Sequence, residues 1–463
     1  MQGRGRWSRD AVRVACLQGN DLMSNVVRFG VTPKMKPVPP KRSAVVAAID
    51  VGTSKIVCMI ARLEPQPPRD VLRRRSHGVR VLGFAHTAAS GMKGGSVVDL
   101  VEAEQMIRNA IDIAENGAHL QLESVIVSLS GGRLGSERFV AGIELAGGAV
   151  GEGDIARVLA AASRHSVRDG RAVLHALPIG YALDAATGIR EPRGMLGHRF
   201  GVDMHMVTAD VATVRNLMLT VERSHLNVEA MVSSPYAAGL AALADDEADL
   251  GAATIDLGAG TTTMAVFTGG RFVHADGFAL GGYHVTMDLA RGLNARIADA
   301  ERIKAIYGSV MSGGSDERDM ITVPPVGDDE REPPQFVSRA ALTRIIRPRV
   351  EEILEMVRDR LAASPFAAEP RGRVVLTGGG SQLAGVADLA ARILKRPVRI
   401  GRPLGLSGLP EAAKGPAFAV AAGLLVYPQA AHLEHFEPRR TRHLMTGTGG
   451  YMARVGRWLR ESF

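Results

Sequence analysis

Short apolar runs of the length of buried strands recur along the chain, and three of them end in glycine-rich turns. The first covers 44–49 and reaches Asp50, the second leads through Asp256, and the third covers 373–377. Continuous apolar runs of this length are typical of strands that are covered on both faces, so we expect three buried strands here. Further strands are predicted at 51–63, 79–85, 124–130, 139–145 and 203–208.

Longer segments place apolar residues at the spacing of amphipathic helices. The predicted helices cover 100–116, 153–165, 211–224 and 235–243, and the stretch 283–361 is mostly helical. A segment rich in glycine, aspartate and proline, 313–334, interrupts that stretch and is expected to be a surface insertion.

Composition places the chain among α/β proteins of more than one domain. It has 463 residues, of which 46% are hydrophobic and only 4% aromatic, so alanine, valine, leucine and glycine dominate the apolar set. Two cysteines, Cys16 and Cys58, cannot form a disulfide framework, which fits a reducing cytoplasm. The longest apolar stretch, 417–427, is too short to span a bilayer, and no secretory signal is expected at the N-terminus.

The net charge of +8 is concentrated at the N-terminus, where residues 1–42 carry nine lysines and arginines against two aspartates. Such a tail could contact nucleic acid or anionic lipid. The simpler interpretation is a disordered extension, 1–43, with Met23 as an alternative translation start, and no nucleic-acid partner is expected.

The two Asp-containing strands end in turns that could bind phosphate. Backbone N–H groups of glycine turns and hydroxyl groups donate to phosphate oxygens, a lysine neutralises charge, and an aspartate can hold hydrated Mg²⁺. A plain β-hairpin with a polar turn is the alternative for either segment alone, but the repetition favours a nucleotide clamp. The candidate residues are Asp50, Gly52, Thr53, Ser54 and Lys55 in the first turn, and Asp256, Gly258, Gly260, Thr261 and Thr262 in the second.

Two further motifs could contact a nucleoside. The backbone of three glycines after a strand can lie flat against a purine and ribose. A tight connection between a strand and a helix is the alternative explanation of the same sequence pattern. Glu301 and Lys304 share one helix face, where they could hold ribose and base, or could form an ordinary surface ion pair. The glycine motif reads Gly378, Gly379, Gly380, Ser381 and Gln382.

The last thirteen residues form an amphipathic pattern. On a helical wheel, one face carries Met452, Val455, Trp458, Leu459 and Phe463, and the opposite face carries Arg454, Arg457 and Arg460. This pattern is typical of a helix that lies in a membrane interface, although a helix docked on the protein's own core is the alternative. Three arginines less one glutamate would contribute about 2 kcal/mol on an anionic surface, so one copy should bind reversibly and a polymer by avidity.

In this order, the elements resemble the actin-like ATPase superfamily, whose members have two similar lobes (duplicated ribonuclease-H-like domains) around a nucleotide. The motifs at 91–95, 128–131, 167–170, 245–251 and 281–288, together with the terminal helix, resemble the FtsA family of bacterial cell-division proteins. The resemblance implies a first lobe at 44–90 and 177–245, an inserted SHS2-like subdomain at 91–176, a second lobe at 246–285 and 365–427, a helical subdomain at 286–364, a linker at 428–450 and a membrane helix at 451–463.

The family resemblance also implies a function. Its members bind ATP, polymerise, and tether the tubulin-like protein FtsZ to the cytoplasmic membrane at the division septum, where other division proteins follow. The resemblance places Asp50 and Asp256 near Mg²⁺. It implies that the two turns, with Gly281 and Gly282, contact the phosphates. The glycine motif, with Glu301 and Lys304, would surround adenosine. The acidic and apolar tail of FtsZ would meet the helical subdomain, where Arg344, Arg347 and Arg349 are candidate contacts and a solvated helix face is the alternative.

Some positions depart from the superfamily pattern. Ser234 stands before Pro235 where filament relatives such as MreB carry a glutamate that positions the attacking water, while Ala259, Thr263 and Tyr283 are also unusual. We therefore expect nucleotide binding with at most weak hydrolysis. A small-molecule kinase on the same fold is the alternative, but no uncommitted carboxylate base can be assigned. A chaperone-type ATPase would need a large domain after residue 427.

Overall fold

The computed structural model describes residues 32–67, 71–326 and 334–434. The strands, numbered in chain order, are β1 (Ala44–Val51), β2 (Lys55–Pro65), β3 (His77–Ala88), β4 (Met92–Lys93), β5 (Ser96–Val97), β6 (Ser124–Leu129), β7 (Gly135–Glu144), β8 (Arg171–Leu183), β9 (Ala186–Ile189), β10 (Arg199–Asp210), β11 (Asn227–Ser233), β12 (Ala252–Leu257), β13 (Thr262–Thr268), β14 (Arg271–Phe278), β15 (Met320–Val323), β16 (Gln335–Ser338), β17 (Arg373–Thr377), β18 (Val398–Ile400) and β19 (Leu406–Ser407). The α-helices are α1 (Leu100–Ala118), α2 (Glu152–Ala162), α3 (Val211–Arg223), α4 (Ser234–Ala242), α5 (Asp245–Leu250), α6 (Gly282–Gly292), α7 (Ile297–Tyr307), α8 (Arg339–Ala362), α9 (Val386–Leu394) and α10 (Ala419–Ala430).

The first lobe is built on a six-stranded sheet in the order β11-β6-β1-β2-β3-β19. Strand β1 pairs antiparallel with β2 and parallel with β6, so Asp50 faces Val57 in the register. Helix α1 packs against β2 and β3, and α10 packs against β1, β2 and β6. Most of β1 and β2 is buried, as their continuous apolar runs predict.

The second lobe repeats this arrangement in a five-stranded sheet, ordered β14-β13-β12-β17-β18. Strand β12 pairs antiparallel with β13 and parallel with β17, in the same way that β1 pairs with β2 and β6. Asp50 and Asp256 are each the next-to-last residue of their strand. The predicted duplication is therefore present in the topology, and it places the two aspartates at equivalent positions.

A third sheet, β7-β10-β8-β9, carries helix α2 and forms a separate hydrophobic cluster. The predicted inserted span, 91–176, does not coincide with it. Strand β6 belongs to the first-lobe sheet and α1 packs on that sheet, whereas the third sheet continues to Asp210. The boundary between the first-lobe sheet and the third sheet depends on which strands pair in space. The local sequence does not indicate that pairing.

Helices α4 and α10 pack against each other in the core between the two large sheets. A side chain at Gly423 would lie 1.7 Å from the carbonyl oxygen of Ala237, so the two backbones are in direct contact. Among the described residues, one stretch, Pro416–Leu433, is apolar and long enough by composition to cross a membrane, and 78% of it is buried inside the protein. Its apolar surface is thus covered by the protein's own core.

The folded part of the chain begins earlier and ends later than the predicted lobes. Thr32 and Met35 are buried, so the interpretation of all of 1–43 as a disordered extension was wrong for its last residues. The predicted linker begins too early, because α10 continues through Pro428 to Ala430 and a short 3-10 helix, Ala431–Leu433, follows. The predicted membrane helix, 451–463, lies outside the described residues.

The segment 313–334, expected to be an irregular insertion, contains β15, which pairs antiparallel with β16. Met320 and Phe336 on this hairpin are 56% and 61% exposed. The short hairpin precedes α8 and belongs to the predicted helical subdomain.

Candidate functional site

A cavity of about 640 Å³ opens between the two large sheets, at the ends of β1 and β12. Both hairpin turns, the start of α6, one face of α7, the glycine motif after β17 and the start of α10 line it. It brings together every predicted nucleotide-site residue except one. These residues are Asp50, Gly52, Thr53, Ser54, Lys55, Asp256, Gly258, Gly260, Thr261, Thr262, Gly281, Gly282, Glu301, Lys304, Gly378, Gly379, Gly380 and Gln382.

The exception is Ser381, which was predicted to contact the ligand. Its side chain is buried, and its hydroxyl donates to the carbonyl oxygen of Gly378 at 2.7 Å. Ser381 therefore closes the short 3-10 helix Gly379–Gln382 instead of lining the cavity. Gly379 in the same turn is exposed, and a side chain there would meet no atom within 4 Å.

The two hairpin turns have the same construction. The N–H of Gly52 donates to the carbonyl of Lys55 at 2.9 Å, and the N–H of Gly258 donates to that of Thr261 at 2.9 Å. A side chain at either glycine would lie within 3 Å of the accepting carbonyl. Each segment is thus a β-hairpin with a polar turn, as the alternative interpretation held. The turns of both hairpins line the same cavity.

The turns also touch each other across the cavity. A side chain at Gly260 would lie 2.3 Å from the hydroxyl oxygen of Thr53. That hydroxyl also accepts a hydrogen bond from the N–H of Gly95 at 3.2 Å. The glycine lets the two lobes approach closely at the point where the turns meet.

Two recessed carboxylates form the floor of the cavity. The hydroxyl of Ser128 donates to Asp50 at 2.6 Å, and that of Thr377 donates to Asp256 at 3.2 Å. Burial raises the pKa of Asp50, and burial together with the nearby Asp50 carboxylate raises the pKa of Asp256 to about 6. Burial therefore disfavours the charged form of both side chains.

Lys55 is the cation nearest to these carboxylates. Its Nζ donates to the carbonyl oxygen of Ala417 at 2.5 Å and lies 4.1 Å from the centre of the Phe418 ring. Burial lowers the pKa of Lys55, and Asp50 and Asp256 oppose that effect. Sequence reasoning missed Ala417 and Phe418, because no local pattern indicates a contact between residues 362 positions apart.

Glu301 and Lys304 form the predicted ion pair, at 2.7 Å, and both also line the cavity. The Lys304 ammonium further donates to the hydroxyl of Thr286 at 2.7 Å and to the carbonyl of Gly282 at 3.0 Å. The pair therefore ties α7 to α6 and lines the cavity, while its contact with a nucleoside stays a prediction.

Gly281 and Gly282 line the cavity, and they also pack closely against the backbone of the second hairpin turn. The N–H groups of Gly282 and Tyr283 donate to the carbonyls of Gly258 and Ala259, at 2.9 and 2.8 Å. A side chain at Gly281 would lie 2.4 Å from the Gly258 carbonyl. The start of α6 therefore supports the second hairpin turn, and these two N–H groups are already used.

Ser234 lines the same cavity at the first position of α4. Its hydroxyl is buried and has no hydrogen-bond partner among the described residues. The cavity-lining carboxylates in the described part of the chain are Asp50, Asp256 and Glu301, and each already accepts a hydrogen bond or ion pair.

The three candidate partner-binding arginines lie on α8 and do not line the cavity, and they differ in how many ion pairs they form. Arg349 binds Asp288 at 2.6 Å and also pairs with Glu352, and Arg347 binds Glu351 at 2.7 Å. Arg344 is 69% exposed and lies 3.6 Å from the equally exposed Glu317. Arg344 is thus the best placed of the three to bind an external anion.

Comparison with known proteins gives the family. The model of the family described as "Cell division protein FtsA" matches residues 253–423, and that of the "SHS2 domain inserted in FTSA" matches 131–208. The cell-division protein FtsA of Agrobacterium fabrum is 52% identical over 436 residues, covering 94% of this chain and 98% of the relative. The chain belongs to the FtsA family of cell-division proteins. FtsA of Escherichia coli K12 is 30% identical over 425 residues, with 90% and 98% covered.

Solved structures share the fold at low identity. The chain resembles a protein of the PilM–PilN type IV pilus biogenesis complex with a TM-score of 0.56 and 17% identity, over 85% of this chain and 99% of that one. It resembles MreB5 of Spiroplasma citri bound to ADP with a TM-score of 0.50 and 13% identity, over 85% and 98%. The predicted family and the actin-like fold with its SHS2 insertion are confirmed. The SHS2 match ends near the end of β10, so it agrees with the third sheet more closely than with the predicted span 91–176.

Proposed function

We propose that this FtsA-family protein binds ATP with Mg²⁺ in the cavity between the lobes, assembles into actin-like polymers, and links FtsZ to the cytoplasmic face of the inner membrane. One observation carries the nucleotide part of the proposal. The equivalent strands of a duplicated sheet carry Asp50 and Asp256 at their next-to-last positions, and both turns, together with Lys55, face a single cavity.

The cavity has the size and the donors that a nucleoside triphosphate needs. Its volume of about 640 Å³ falls within the range of roughly 300–1,000 Å³ that is usual for ligand sites. The hydroxyls of Thr53 and Thr261 and the ammonium of Lys55 are the donors for phosphate oxygens. The exposed backbone at Gly379 and the Glu301–Lys304 pair are the contacts for the nucleoside.

The same residues fit a divalent cation. Asp50 and Asp256 are hard oxygen ligands, and a bound cation would favour their charged forms, which burial disfavours. When bound, Mg²⁺ would be held by Asp50 and Asp256 and would offset the negative charge of these carboxylates and of the phosphates. The protein residues then have to orient the phosphates and keep the cation between the two turns.

Slow hydrolysis is part of the proposal. A general base must accept a proton from water, and the Ser234 hydroxyl cannot do so at neutral pH. The cavity carboxylates in the described chain are each engaged elsewhere, which also argues against the small-molecule kinase. Nucleotide binding therefore serves assembly in this proposal, with ATP turnover at most weak.

The FtsZ tail and the membrane would occupy different parts of the chain. An acidic and apolar tail of FtsZ could use the exposed Arg344 guanidinium on α8 and the exposed apolar side chains of the β15–β16 hairpin. The membrane contact is assigned to residues 451–463, whose apolar face with Trp458 and Phe463 is flanked by arginines. Other division proteins and further copies of the chain complete the set of proposed partners.

Calorimetric titration of ATP into the full chain tests the nucleotide site. We expect binding in Mg²⁺ that weakens at least tenfold in EDTA. Gly379→Asp should abolish binding, because it adds a negative side chain where the structure leaves open space, while Gly379→Ala should bind normally. Unaltered ATP affinity in Gly379→Asp would show that the site is assigned wrongly.

A further inference from the structure

A buried polar network joins the last described residue of the chain to α10 and to two distant segments. The carboxylate of Glu434 accepts hydrogen bonds from Nδ1 of His175 and from the hydroxyl of Tyr427, each at 2.8 Å, and forms an ion pair with Lys34. His175 is fully buried, and the Glu434 side chain is 6% exposed. We call these four residues the Glu434 anchor.

The anchor holds an ionised carboxylate. Burial alone would raise the pKa of Glu434, but Lys34 and His175 outweigh burial and hold that pKa at about 2. A buried carboxylate that loses one partner is strongly destabilised, so these contacts should be made or broken together. The anchor thus ties Glu434 to β8, to α10 and to the segment around Lys34.

One imidazole connects the anchor to the nucleotide cavity. Nε2 of His175 accepts a hydrogen bond from the N–H of Ser233 at 2.9 Å, so its Nδ1 carries the proton that goes to Glu434. The next residue, Ser234, lines the cavity. The His175 ring also contacts the Tyr236 ring on α4, at 5.1 Å between centres.

Helix α10 provides a second connection. Ala417 and Phe418, which precede it, line the cavity and bind Lys55. The helix then runs for 12 residues, which is about 18 Å at the usual rise per residue, to the turn that carries Glu434. Its backbone contact with α4 at Gly423 leaves little room for it to bend, so it should move as one body.

We propose that nucleotide binding and the Glu434 anchor are coupled, such that a bound nucleotide weakens the anchor. The inference rests on the proposed function, because it needs a phosphate in the cavity. A phosphate competes with the Ala417 carbonyl and the Phe418 ring for the single ammonium of Lys55, which loosens the cavity end of α10. The helix carries that displacement to Glu434, where the contacts of the anchor weaken.

Coupling of this kind is reciprocal, which makes it measurable at the cavity. If ATP weakens the anchor by some factor, breaking the anchor must tighten ATP binding by the same factor. In calorimetry with the full chain and Mg²⁺, Glu434→Gln and His175→Phe should each bind ATP at least about fivefold more tightly than the unaltered protein. Equal or weaker ATP affinity in both variants would overturn the proposal.

His205→Phe is the matched control. His205 is a fully buried histidine on the neighbouring strand β10, and its ring nitrogens contact the Phe272 carbonyl and the Ser136 hydroxyl. Its replacement removes a buried imidazole without touching the anchor, so ATP affinity should stay within about twofold. An equal gain in affinity in this variant would also contradict the proposal, because any buried histidine would then have the same effect.

Hydrogen exchange in the unaltered protein tests the same coupling without a substitution. The N–H of Val38 donates to Pro428 and that of Glu434 to Ala431. With ATP and Mg²⁺ bound, both amides should exchange at least threefold faster, while the Leu145 amide in the third sheet, which donates to His198, should not. Unchanged exchange at Val38 and Glu434 with ATP demonstrably bound would refute the coupling alone. If the unaltered protein binds no ATP, both the proposed function and this inference fail.

Discussion

Replacing Asp256 with asparagine should stabilise the ligand-free protein while destroying its Mg²⁺-dependent nucleotide binding. Asparagine keeps the shape of the side chain and can still accept the hydroxyl of Thr377. It removes a buried negative charge that stands beside the Asp50 carboxylate. The substitution therefore measures the free-energy cost of burying the Asp256 charge while it keeps the hydrogen bond from Thr377.

The magnitude follows from the pKa. The Asp256 pKa of about 6 against an ordinary 3.8 corresponds to about 3 kcal/mol of unfolding free energy, as an upper figure. Because this acid has its pKa raised in the folded state, the cost is fully present above pH 6 and absent below the ordinary value of 3.8. The advantage of asparagine should thus be largest at pH 7.5 and shrink as the pH falls from 6 towards 4.

Scanning calorimetry in EDTA at pH 7.5 and 4.5 is the assay. The unfolding temperature of Asp256→Asn should be a few degrees above that of the unaltered protein at pH 7.5, and the difference should shrink to about a third at pH 4.5. ATP and Mg²⁺ at a thousand times the Kd should reverse the order, since that excess stabilises the binding-competent protein by about 4.1 kcal/mol. Asp359→Asn, at an exposed carboxylate paired with Arg358, is the control and should change little. A lower unfolding temperature for Asp256→Asn in EDTA at pH 7.5 would refute the reasoning.

Two further substitutions test the contact between the turns and the partner surface. Gly260→Ala should weaken ATP binding and destabilise the protein by about 1–3 kcal/mol, because its Cβ would lie 2.3 Å from the Thr53 hydroxyl. Gly148→Ala, which meets no atom within 4 Å, should change neither quantity, and equal behaviour of the two would contradict the close approach. Arg344→Glu should weaken binding of an FtsZ-tail peptide about three- to tenfold in fluorescence anisotropy, most strongly at low salt. Arg349→Gln should chiefly lower stability, because Arg349 is paired with Asp288; a larger loss of peptide affinity there would reverse the assignment.

Much of the fold could be predicted from local patterns. The apolar runs that become β1, β12 and β17 are continuous because helices or other strands cover both faces of their sheets, and such runs leave a clear signal. The Asp and Gly residues of the two turns were recognisable because the same unit occurs twice. The inserted sheet was harder, since its boundaries depend on which strands pair in space.

The parts that escaped prediction are contacts between distant segments. Lys55 meets Ala417 and His175 meets Glu434 across 362 and 259 positions, and neither pair shares a motif. Pro428 looked like the start of a linker, since proline disfavours a helix interior, yet packing of α10 against α4 carries the helix two residues further. Ser381 belongs to the predicted glycine motif, but its hydroxyl donates to the Gly378 carbonyl and does not line the cavity.

Co-sedimentation with anionic liposomes tests the membrane-tether account most directly. The full chain and a chain ending at Gly449 are compared in ATP and Mg²⁺, with matched nucleotide affinity checked beforehand. The account predicts that the full chain pellets with liposomes, increasingly so as it assembles, and that the shortened chain stays in the supernatant. Equal sedimentation of the two chains would contradict it.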